Sequence, residues 1–394
     1  MSIDKGFRMK KIYLDNASTS FPKPETVPKA VYDYMTKIGA NINRGTYEDA
    51  YSAEEVVFET RELISELFNA GDCKNVIFTK NVTESINLLL KGFLHKGDHI
   101  ICSSMEHNAV MRPLNQLEEY GIEFSRIPCD SEGNMNLDSL EGLVKSNTKA
   151  IISLHASNVC GTIMPLEKIG EFCHAHSLAF FVDCAQTAGV IDIDMQKCHI
   201  DALLFTGHKG LLGPQGIGGI ILSDEIASVL TPLIVGGTGS ISHTENTPTF
   251  LPDKFEAGTM NLPGIYGLNA GLNFIKETGI SNIYKHELML TELFLKGIAA
   301  INQDKEKIRI VGRNNLEHRT GVVSLQILDK DQAEMAYRLE SEFGIMTRVG
   351  LHCAPNAHKT LNTYPEGTIR FSFGYFNTEE DVKAALHALK AIAK

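Results

Sequence analysis

The sequence predicts an α/β protein built on a doubly wound, mainly parallel sheet, and two observations support this fold class. Residues 179–183 (AFFVD) and 201–206 (DALLFT) are short apolar segments, typical of strands buried on both faces of a parallel sheet. From about residue 76 to residue 222, such segments alternate with helical stretches and show no internal repeat. Parallel sheets place their ligands beyond the carboxyl ends of their strands, so residues that follow a strand are the candidate site.

The composition is that of an ordinary soluble globular protein, with 43% hydrophobic and 22% charged residues. The 394 residues are enough for two domains or for one large core with an appendage. A net charge of −11 argues against nucleic acid as the main partner. No apolar run reaches the roughly 18 residues that a membrane span requires, so no membrane association is expected.

Cysteine usage indicates a reducing compartment. The eight cysteines form no C-x-x-C pair, and residues 1–11 lack the apolar core of a signal peptide. We therefore expect free thiols in a cytoplasmic protein. The run 173–176 (CHAH) lies in a predicted helix, where adjacent residues point in different directions, so no metal site is expected.

The first 70 residues are predicted to form a leader, a short strand and two helices. Residues 1–8 read as a loose polar leader, and 10–19 (KKIYLDNAST) as a strand and turn. A proline-marked helix follows within 21–39, because apolar residues recur there at helical spacing. The second half of 39–70 is a long amphipathic helix.

A strand and a capped helix come next. Residues 76–79 (VIFT) form the strand, and Asn81 with Glu84 matches the pattern of a capping box at the start of a helix. The free N–H groups and the dipole of such a helix end favour an anion. An ordinary capped helix without a ligand is the alternative.

The alternation of strands and helices continues and then gives way to a stretch without regular periodicity. Further strands precede Glu106-His107-Asn108 and the run 155–166. Residues 232–264 are rich in Gly, Thr, Ser and Pro, which predicts a long loop or hairpin. A helix from about 265, a strand at 321–327 and a helix at 334–344 lead to the last helix, whose start is marked by acids at 377–381.

An acid and a lysine are predicted at the same rim of the sheet. Asp183 ends one apolar strand, and Lys209 follows the next strand in a glycine-rich loop. Pyridoxal 5'-phosphate (PLP) needs a lysine for its Schiff base and a carboxylate for its pyridine nitrogen, so the pair suggests this cofactor. The alternative is a surface lysine on a glycine loop of another α/β protein. Further side chains in the run are placed to contact the ring hydroxyl or the phosphate, namely Gln186, Thr206 and His208.

The segments 182–186 (VDCAQ), 206–209 (TGHK) and 213–219 (GPQGIGG) resemble the class V aminotransferase family and, within it, the cysteine desulfurases. The resemblance covers about residues 11 to 390. It implies the fold type I of PLP-dependent transferases, with a large doubly wound domain and a smaller α+β C-terminal domain. The implied division is an N-terminal segment 1–20 near the active site, a PLP domain 21–258 and a small domain 259–394.

The resemblance also implies how the cofactor is held. Lys209 forms the Schiff base, Asp183 bonds the ring nitrogen, and His107 lies against the ring and relays protons. Asn158 and Gln186 contact the ring hydroxyl. The remaining cofactor-binding residues surround the phosphate, and these are Thr83, Val82, Thr206 and His208. Val82 and Asn81 stand where the family has Thr and Gly, so one hydroxyl contact is missing.

The segment 255–259 (FEAGT) implies a shared active site. In the family its threonine, here Thr259, touches the phosphate of the neighbouring subunit. We therefore expect a homodimer. The turn 43–45 (NRG) resembles the family's H-R-G turn, with Asn in place of His.

The substrate-binding residues are likewise implied by the resemblance. Arg370 matches the arginine that binds the substrate α-carboxylate through a bidentate fork. A surface arginine on a strand is the alternative. Further residues expected at the substrate are Asn16, Ala17, Asn158 and Arg348.

Cys353 reduces the number of reactions that the resemblance allows. The motif 348–355 (RVGLHCAP) resembles the second, Suf-type group of cysteine desulfurases and their selenocysteine lyase relatives. In that group a thiolate attacks the γ-sulfur of the substrate, and the 17 positions between Cys353 and Arg370 (370 − 353) fit its short, ordered cysteine loop. The residues 354–359 (APNAHK) depart from the usual apolar continuation, which leaves the sulfur acceptor open.

The resulting hypothesis is a PLP-dependent cysteine desulfurase that converts L-cysteine to L-alanine and leaves a persulfide on Cys353. Lys209 would remove the α-proton, and His107 or Lys209 would return the protons. The partners are L-cysteine or L-selenocysteine, a second copy of the chain and, as a further candidate, a sulfur-acceptor protein. Three alternatives stay open: a selenocysteine lyase, a class V aminotransferase with an unreactive cysteine, and a non-catalytic scaffold for sulfur-transfer partners.

Overall fold

The computed structural model describes residues 11–42, 45–241 and 243–394. The predicted leader 1–8 and the residues Asn43 and Arg44 of the predicted N-R-G turn lie outside these ranges. The N-terminal part contains a two-residue strand and the two predicted helices, which are β1 (Ile12–Tyr13), α1 (Thr26–Asp33) and α2 (Glu48–Phe68). A π-helical turn (Tyr34–Ile38) extends α1.

The predicted doubly wound sheet is confirmed. Its seven strands are β2 (Val76–Thr79), β3 (His99–Ser103), β4 (Glu123–Ile127), β5 (Thr148–Leu154), β6 (Ala179–Asp183), β7 (Ala202–Thr206) and β8 (Gly218–Leu222). They lie in the order β2-β8-β7-β6-β5-β3-β4. β8 runs antiparallel to both of its neighbours, and the other pairs are parallel.

Helices cover both faces of this seven-stranded sheet. They are α3 (Val82–Phe93), α4 (Asn108–Glu118), α5 (Leu166–Ala175) and α6 (Asp224–Val229), with short 3-10 turns at Cys73–Asn75, Leu137–Ser139 and Glu141–Leu143. Successive residues of β6 point to opposite faces, so Phe180 and Val182 belong to one apolar core and Phe181 to the other. This two-sided burial explains why the strands are apolar throughout.

The start of α3 is capped partly as predicted. Asn81 Oδ1 accepts the backbone N–H of Glu84 at 3.0 Å. The Glu84 carboxylate, however, accepts from the backbone N–H of Lys80 rather than from Asn81, so the reciprocal half of the capping box is absent. Gly218 of β8 lies against this turn, because a Cβ at that position would stand 2.9 Å from Asn81 Cα. A side chain there would push α3 away from the sheet.

A second, four-stranded antiparallel sheet follows the long loop. Its order is β12-β13-β10-β9, and a further strand pair joins β1 to β11 in parallel. The strands are β9 (Ile308–Val311), β10 (Val322–Ile327), β11 (Ile345–Met346), β12 (Arg348–Gly350) and β13 (Thr368–Ser372). The helices are α7 (Leu262–Thr278), α8 (Ile280–Ile301), α9 (Gln332–Phe343), α10 (Pro355–Thr360) and α11 (Glu379–Ile392).

The third apolar core lies between the four-stranded sheet and its helices. Phe294 of α8 contacts Phe371 and Phe373, with ring centroids 4.9 and 5.3 Å apart. The predicted start of the last helix is confirmed by a capping box between Thr378 and Asp381. The proposed domain boundaries at 20/21 and 258/259 stay a prediction. Within the described ranges, no helix is long and apolar enough to span a membrane.

Candidate active site

The carboxyl ends of β5, β6 and β7 surround a cavity that contains six of the predicted site residues. Asp183 is the last residue of β6, and Lys209 follows β7 by three positions. The cavity is lined by these two residues together with Val82, His107, Leu154, Ala156, Asn158, Ala185 and Gln186. The residues predicted from two separate strand ends are therefore neighbours, as the parallel sheet requires.

Lys209 carries an amine whose pKa is well below its ordinary value. Removal from solvent, together with the nearby cations Arg370 and Arg348, lowers the pKa of Lys209 to about 8, and the negative charge of Asp183 opposes this shift. Burial raises the pKa of Asp183, while a hydrogen bond from the backbone N–H of Ala185 at 2.9 Å and the Lys209 charge hold it down. Lys209 can therefore act as a free amine near neutral pH.

The N-terminal segment fixes the backbone that carries Lys209. The carbonyl oxygen of His208 accepts from Ser20 N at 3.1 Å and from Lys23 Nζ at 2.7 Å. Ser20 Oγ donates to the carbonyl oxygen of Lys209 at 2.8 Å. Thr19 Oγ1 adds a further bond to His208 at 3.1 Å. These contacts join residues 19–23 to the loop of Lys209, and the predicted division that places an N-terminal segment 1–20 near the active site stays a prediction.

His107 is held in one tautomer. It is the N-cap of α4, and its Nδ1 accepts the backbone N–H of Ala109 at 3.0 Å. The proton of the neutral ring therefore sits on Nε2. Desolvation and the nearby cations, led by Lys209, Arg348 and Arg370, lower the pKa of His107 to about 4. The imidazole is neutral at physiological pH, with one N–H available to the cavity.

Several buried polar atoms around the cavity have no partner in the described part of the chain. They are Thr206 Oγ1, His208 Nδ1 and Asn158 Oδ1. The backbone N–H groups of Val82 and Thr83, the first two of α3, also lack an acceptor there, as helix N-termini do. Thr83, Thr206 and His208 do not line the cavity itself. Unpaired donors beside a helix N-terminus suit a phosphate group, so the residues present fit PLP.

Thr259 lies apart from Lys209. It is exposed and lines a different pocket, together with Thr79 at the end of β2, Lys80 and Glu84 of α3. Its predicted reach into the site of a second subunit stays a prediction.

Arg370 is a buried cation with an incomplete set of partners. Its side chain is 2% exposed. Nη2 donates to Asp15 Oδ1 and to Ser18 Oγ, both at 2.8 Å, and Nη1 donates to the carbonyl oxygen of Asn158 at 3.0 Å. Nε is buried and has no acceptor within the described residues. Burial lowers the pKa of Arg370, and the Asp15 carboxylate acts in the opposite direction.

Asp15 and Ser18 are site residues that the sequence analysis missed. Ser18 Oγ accepts from Arg370 and also from Arg348 Nη1 at 2.9 Å, and therefore joins the two arginines. Asp15 lies next to Asn16 in the motif Y-L-D-N-A, which is the only signal that could have indicated it.

Asn16 and Ala17 lie beside the Lys209 cavity. Asn16 Nδ2 donates to the carbonyl oxygen of Ser372 and to Asn377 Oδ1, both at 2.9 Å, so its amide is already engaged. Ala17 accepts Gln186 Nε2 at 3.1 Å through its carbonyl oxygen. Both residues line a second cavity that shares Gln186 and Lys209 with the first.

Cys353 lies on an ordered loop between β12 and α10. It is exposed, and both His352 and Cys353 have left-handed backbone conformations, with φ of 47° and 57°. The backbone N–H of Asn108, the residue after His107, donates to the Cys353 carbonyl oxygen at 2.8 Å. Arg348 Nη2 lies 3.8 Å from Cys353 Sγ. The thiol is thus accessible and adjacent to a cation.

Asn158 couples this loop to the arginine. Its Nδ2 donates to the carbonyl oxygen of His352 at 2.7 Å, and its own carbonyl accepts from Arg370. The unusual residues 354–359 form most of α10, and Asn356 Nδ2 bonds the carbonyl oxygen of Ser104 at 2.7 Å. The departure from the apolar pattern therefore has a local structural reason.

Comparisons with known proteins agree with this geometry. The family model described as "Aminotransferase class-V" matches residues 12–385. A probable cysteine desulfurase from Pyrococcus abyssi is 35% identical over 391 residues, covering 97% of this chain and 94% of that protein. A probable cysteine desulfurase from Methanothermobacter thermautotrophicus is 32% identical, with coverages of 97% and 94%. The apo structure of a cysteine desulfurase from Thermococcus onnurineus NA1 superposes with a TM-score of 0.90 at 32% identity, covering 97% of this chain and 94% of that one. The chain therefore belongs to the class V aminotransferase family, whose members use PLP.

Proposed function

We propose that this chain is a PLP-dependent cysteine desulfurase that converts L-cysteine to L-alanine and receives the sulfur as a persulfide on Cys353. One observation carries the proposal: the exposed Cys353 lies on an ordered loop bonded to the residue after His107 and to Asn158, which also contacts Arg370. A nucleophile, a proton carrier and a carboxylate receptor are thereby brought together. Relatives named cysteine desulfurases, similar over nearly the whole chain, support the same reaction.

The residues of the cavity fit the cofactor. Lys209 and Asp183 would hold its aldehyde carbon and ring nitrogen, and Asn158 and Gln186 its ring hydroxyl, beneath His107. Its phosphate would be held by Thr206, His208, Thr83 and Val82, with Thr259 contributed by a second subunit. When bound, PLP supplies an electron sink that stabilises negative charge on the substrate carbon.

The two arginines orient the substrate. Arg370 has an unpaired Nε beside Nη2, whose two N–H groups bond Asp15 and Ser18, so a carboxylate placed there would accept from Nε and would complete the fork by displacing Ser18 from Nη2. Arg348 lies between this position and Cys353 Sγ. The α-carboxylate bound to Arg370 would therefore leave the substrate side chain directed toward the cysteine loop.

Lys209 and His107 move the protons. The lowered pKa of Lys209, about 8, gives a free amine that takes the α-proton from the substrate. His107 has its proton on Nε2 because Nδ1 is occupied by Ala109 N, so it donates from that atom. Burial and the nearby cations keep the ring neutral near pH 7, so any proton that Nε2 gives up must be replaced at once from solvent or from protonated Lys209.

The sulfur transfer needs no oxidant or reductant besides the substrate and Cys353. The Cys353 thiolate forms a bond to the substrate sulfur, and the bond between that sulfur and the substrate β-carbon breaks. The electron pair stays with the carbon, which takes up a proton and becomes the methyl group of alanine. The sulfur remains on Cys353 as a persulfide.

A homodimer is part of the same proposal. Exposed apolar side chains cluster in the long loop that carries Thr259, where Leu233, Ile234 and Val235 are 43%, 48% and 64% exposed. Such a patch is typical of a covered surface. Size-exclusion chromatography with light scattering measures the assembly, and mixing Lys209→Ala with Thr259→Ala subunits would restore one intact site per mixed dimer if sites are shared.

The deciding experiment is the intact mass of the PLP-loaded protein after brief exposure to L-cysteine without reductant. We expect an increase of one sulfur atom that is lost in Cys353→Ala. Cys198→Ala is the matched control, because Cys198 is a partly buried thiol remote from the site and should leave the increase unchanged. An unchanged mass in the PLP-loaded wild type would overturn the assignment, and L-selenocysteine and amino-group transfer would then be assayed.

A further inference from the structure

Glu106 is a buried carboxyl group that the proposed function does not use. Its side chain is 1% exposed and lies between the ends of β3 and β5. Oε1 accepts from Ser103 Oγ at 2.5 Å and from the backbone N–H of Leu154 at 3.1 Å. Leu154 lines the Lys209 cavity, and His107 follows Glu106 directly. One carboxyl oxygen therefore joins two strand ends beneath the site.

The hydrogen bonds indicate which oxygen carries a proton. Ser103 Oγ accepts the backbone N–H of Met105 at 3.2 Å, so its single O–H points to Glu106 Oε1. The Ser103 backbone N–H lies 3.4 Å from the same oxygen, which therefore acts only as an acceptor. Oε2 is buried and has no partner within the described ranges. A neutral acid would carry its proton on Oε2, and an unpaired buried hydroxyl costs less free energy than an unpaired buried charge.

Burial supports the neutral form. Desolvation raises the pKa of Glu106 from its ordinary 4.5 to about 8, although the bonds from Ser103 and Leu154 oppose the shift. The negative charge of Asp183 contributes to this rise. At neutral pH the side chain is therefore mostly protonated.

The charge of Glu106 affects Asp183, which is close to it. Asp183 pairs with Leu154 in the register of β5 and β6, so Glu106 and Asp183 are tied to the same backbone position. Because like charges repel, an ionised Glu106 would oppose the negative charge that Asp183 needs beside a protonated pyridine nitrogen.

We propose that Glu106 is a positioning residue that stays neutral and ties the ends of β3 and β5 together, so that His107 and Asp183 keep their places around the cofactor. The inference rests on the proposed PLP-dependent function. Glu106 acts through its neighbours and is not itself a catalytic residue.

Most of the titratable groups that face Glu106 do not change charge near neutral pH. Asp183 comes from β6, Cys102 from β3, and Cys129 from the loop after β4. Burial raises the pKa of Cys102, and that of Cys129 to about 11, so both thiols stay neutral. His155, next to Leu154, has its pKa lowered by burial to about 3 and is uncharged. Asp183 is thus the charged group that responds to Glu106.

The first test measures PLP affinity from the visible absorbance of the full-length protein during PLP titration. Glu106→Gln keeps a neutral side chain with an acceptor oxygen, so its affinity should stay within about threefold of the wild type. Glu106→Ala loses the bonds to Ser103 and Leu154, and we expect about tenfold weaker binding. Equal affinities in both variants, or equal losses in both, would overturn the positioning role.

The second test measures the protonation of Glu106 without using activity. Between pH 5 and pH 8 the folded wild type holds one more proton at this site than the unfolded chain, so its stability falls as pH rises. Glu106→Gln lacks this proton. The Tm of Glu106→Gln minus that of the wild type, both saturated with PLP, should therefore become more positive from pH 5 to pH 8. A difference that stays constant over this range would contradict the neutral state.

A matched control variant separates the effect of a buried neutral carboxyl on stability from the effect of Glu106 on PLP binding. Asp201 is another carboxyl whose pKa is raised by burial, and it precedes β7, at the opposite edge of the sheet from the Lys209 cavity. Asp201→Asn keeps the acceptor for Phe180 N and should change the pH dependence of Tm in the same direction, but should keep PLP affinity within about threefold of the wild type. If persulfide formation fails while both Glu106 results hold, the desulfurase assignment fails and the role of Glu106 toward the cofactor stands. If persulfide forms and the Tm difference is constant, only the Glu106 inference fails.

Discussion

Two arginines in the C-terminal part of the chain are buried, and their guanidinium groups are hydrogen-bonded in different ways. Arg319 is fully buried and donates only to backbone carbonyl oxygens: Nη1 to Arg313 at 2.6 Å, Nη2 to Val322 at 2.6 Å and Nε to Thr320 at 3.3 Å. Arg370 is almost as buried, yet its Nε has no acceptor within the described residues and its Nη2 is paired with Asp15.

The difference agrees with an architectural role for Arg319 and with the proposed binding role of Arg370. The carbonyl oxygens around Arg319 replace water and fix the loop 313–322, so nothing is left for a ligand. Arg370 retains a buried unpaired donor, and burying such a donor has a free-energy cost. The unpaired Nε of Arg370 therefore supports its proposed carboxylate-binding role.

Replacing Arg370 should produce the largest effect on the reaction. Arg370→Lys keeps the charge but removes the planar fork, and we expect kcat/KM for L-cysteine to fall by about 100-fold, mainly through a higher KM. The measurement is steady-state alanine formation. A loss confined to kcat, with KM unchanged, would contradict a carboxylate-binding role.

Replacing Arg319 should affect folding instead. Arg319→Met leaves several carbonyl oxygens without donors, and we expect the free energy of unfolding to decrease by about 3 kcal/mol. Denaturant titration measures this change. The kcat/KM of the folded variant should stay within about threefold of the wild type, and a large specific loss of activity would remove the distinction between the two arginines.

Asp15 tests how Arg370 is held. Asp15→Asn keeps a hydrogen-bond acceptor but removes the charge, so Arg370 should be oriented less firmly and KM should rise about tenfold. If the two residues act as a unit, Asp15→Asn combined with Arg370→Lys should cost less than the sum of the two single changes. Full additivity in this double-mutant cycle would show that Asp15 acts independently.

The smallest expected effect is a shift in pH dependence. If Lys209 is the base, kcat rises with pH up to about 8, because only the free amine removes the α-proton. Arg370 lowers the pKa of Lys209, so Arg370→Gln should move this acidic limb to higher pH. Arg319→Met should leave the limb in place, and a pH–rate profile of each variant checks both outcomes.

The fold could be predicted from the sequence because its strands are buried on both faces. AFFVD forms β6 over Ala179–Asp183, and DALLFT forms β7 over Ala202–Thr206. Their ends place Asp183 and Lys209 in one cavity, which follows from parallel topology alone. The resemblance to a family added Cys353 and Arg370, which no local pattern distinguishes from other cysteines and arginines.

The missed residues depend on contacts between distant parts of the chain. Asp15 pairs with Arg370 across 355 positions, and Asn356 bonds Ser104 across 252 positions, so neither partner is visible in local sequence. Arg319 lies in a polar stretch that reads as surface, and only the surrounding carbonyl oxygens make its burial acceptable. Glu106 was noted only as the neighbour of His107.

The pairing of the first strand with late elements sets the order in which the site can be completed. Ile12 and Tyr13 pair with Ile345 and Met346, and Asp15 bridges to Ser372. During synthesis, Lys209 and Asp183 leave the ribosome long before these partners exist. The earliest described segment must therefore wait for residues near 370 before it can hold the Lys209 loop and Arg370 together. A nascent chain that stops short of β13 contains most of the proposed cofactor-binding residues but lacks Arg370, the proposed receptor for the substrate carboxylate.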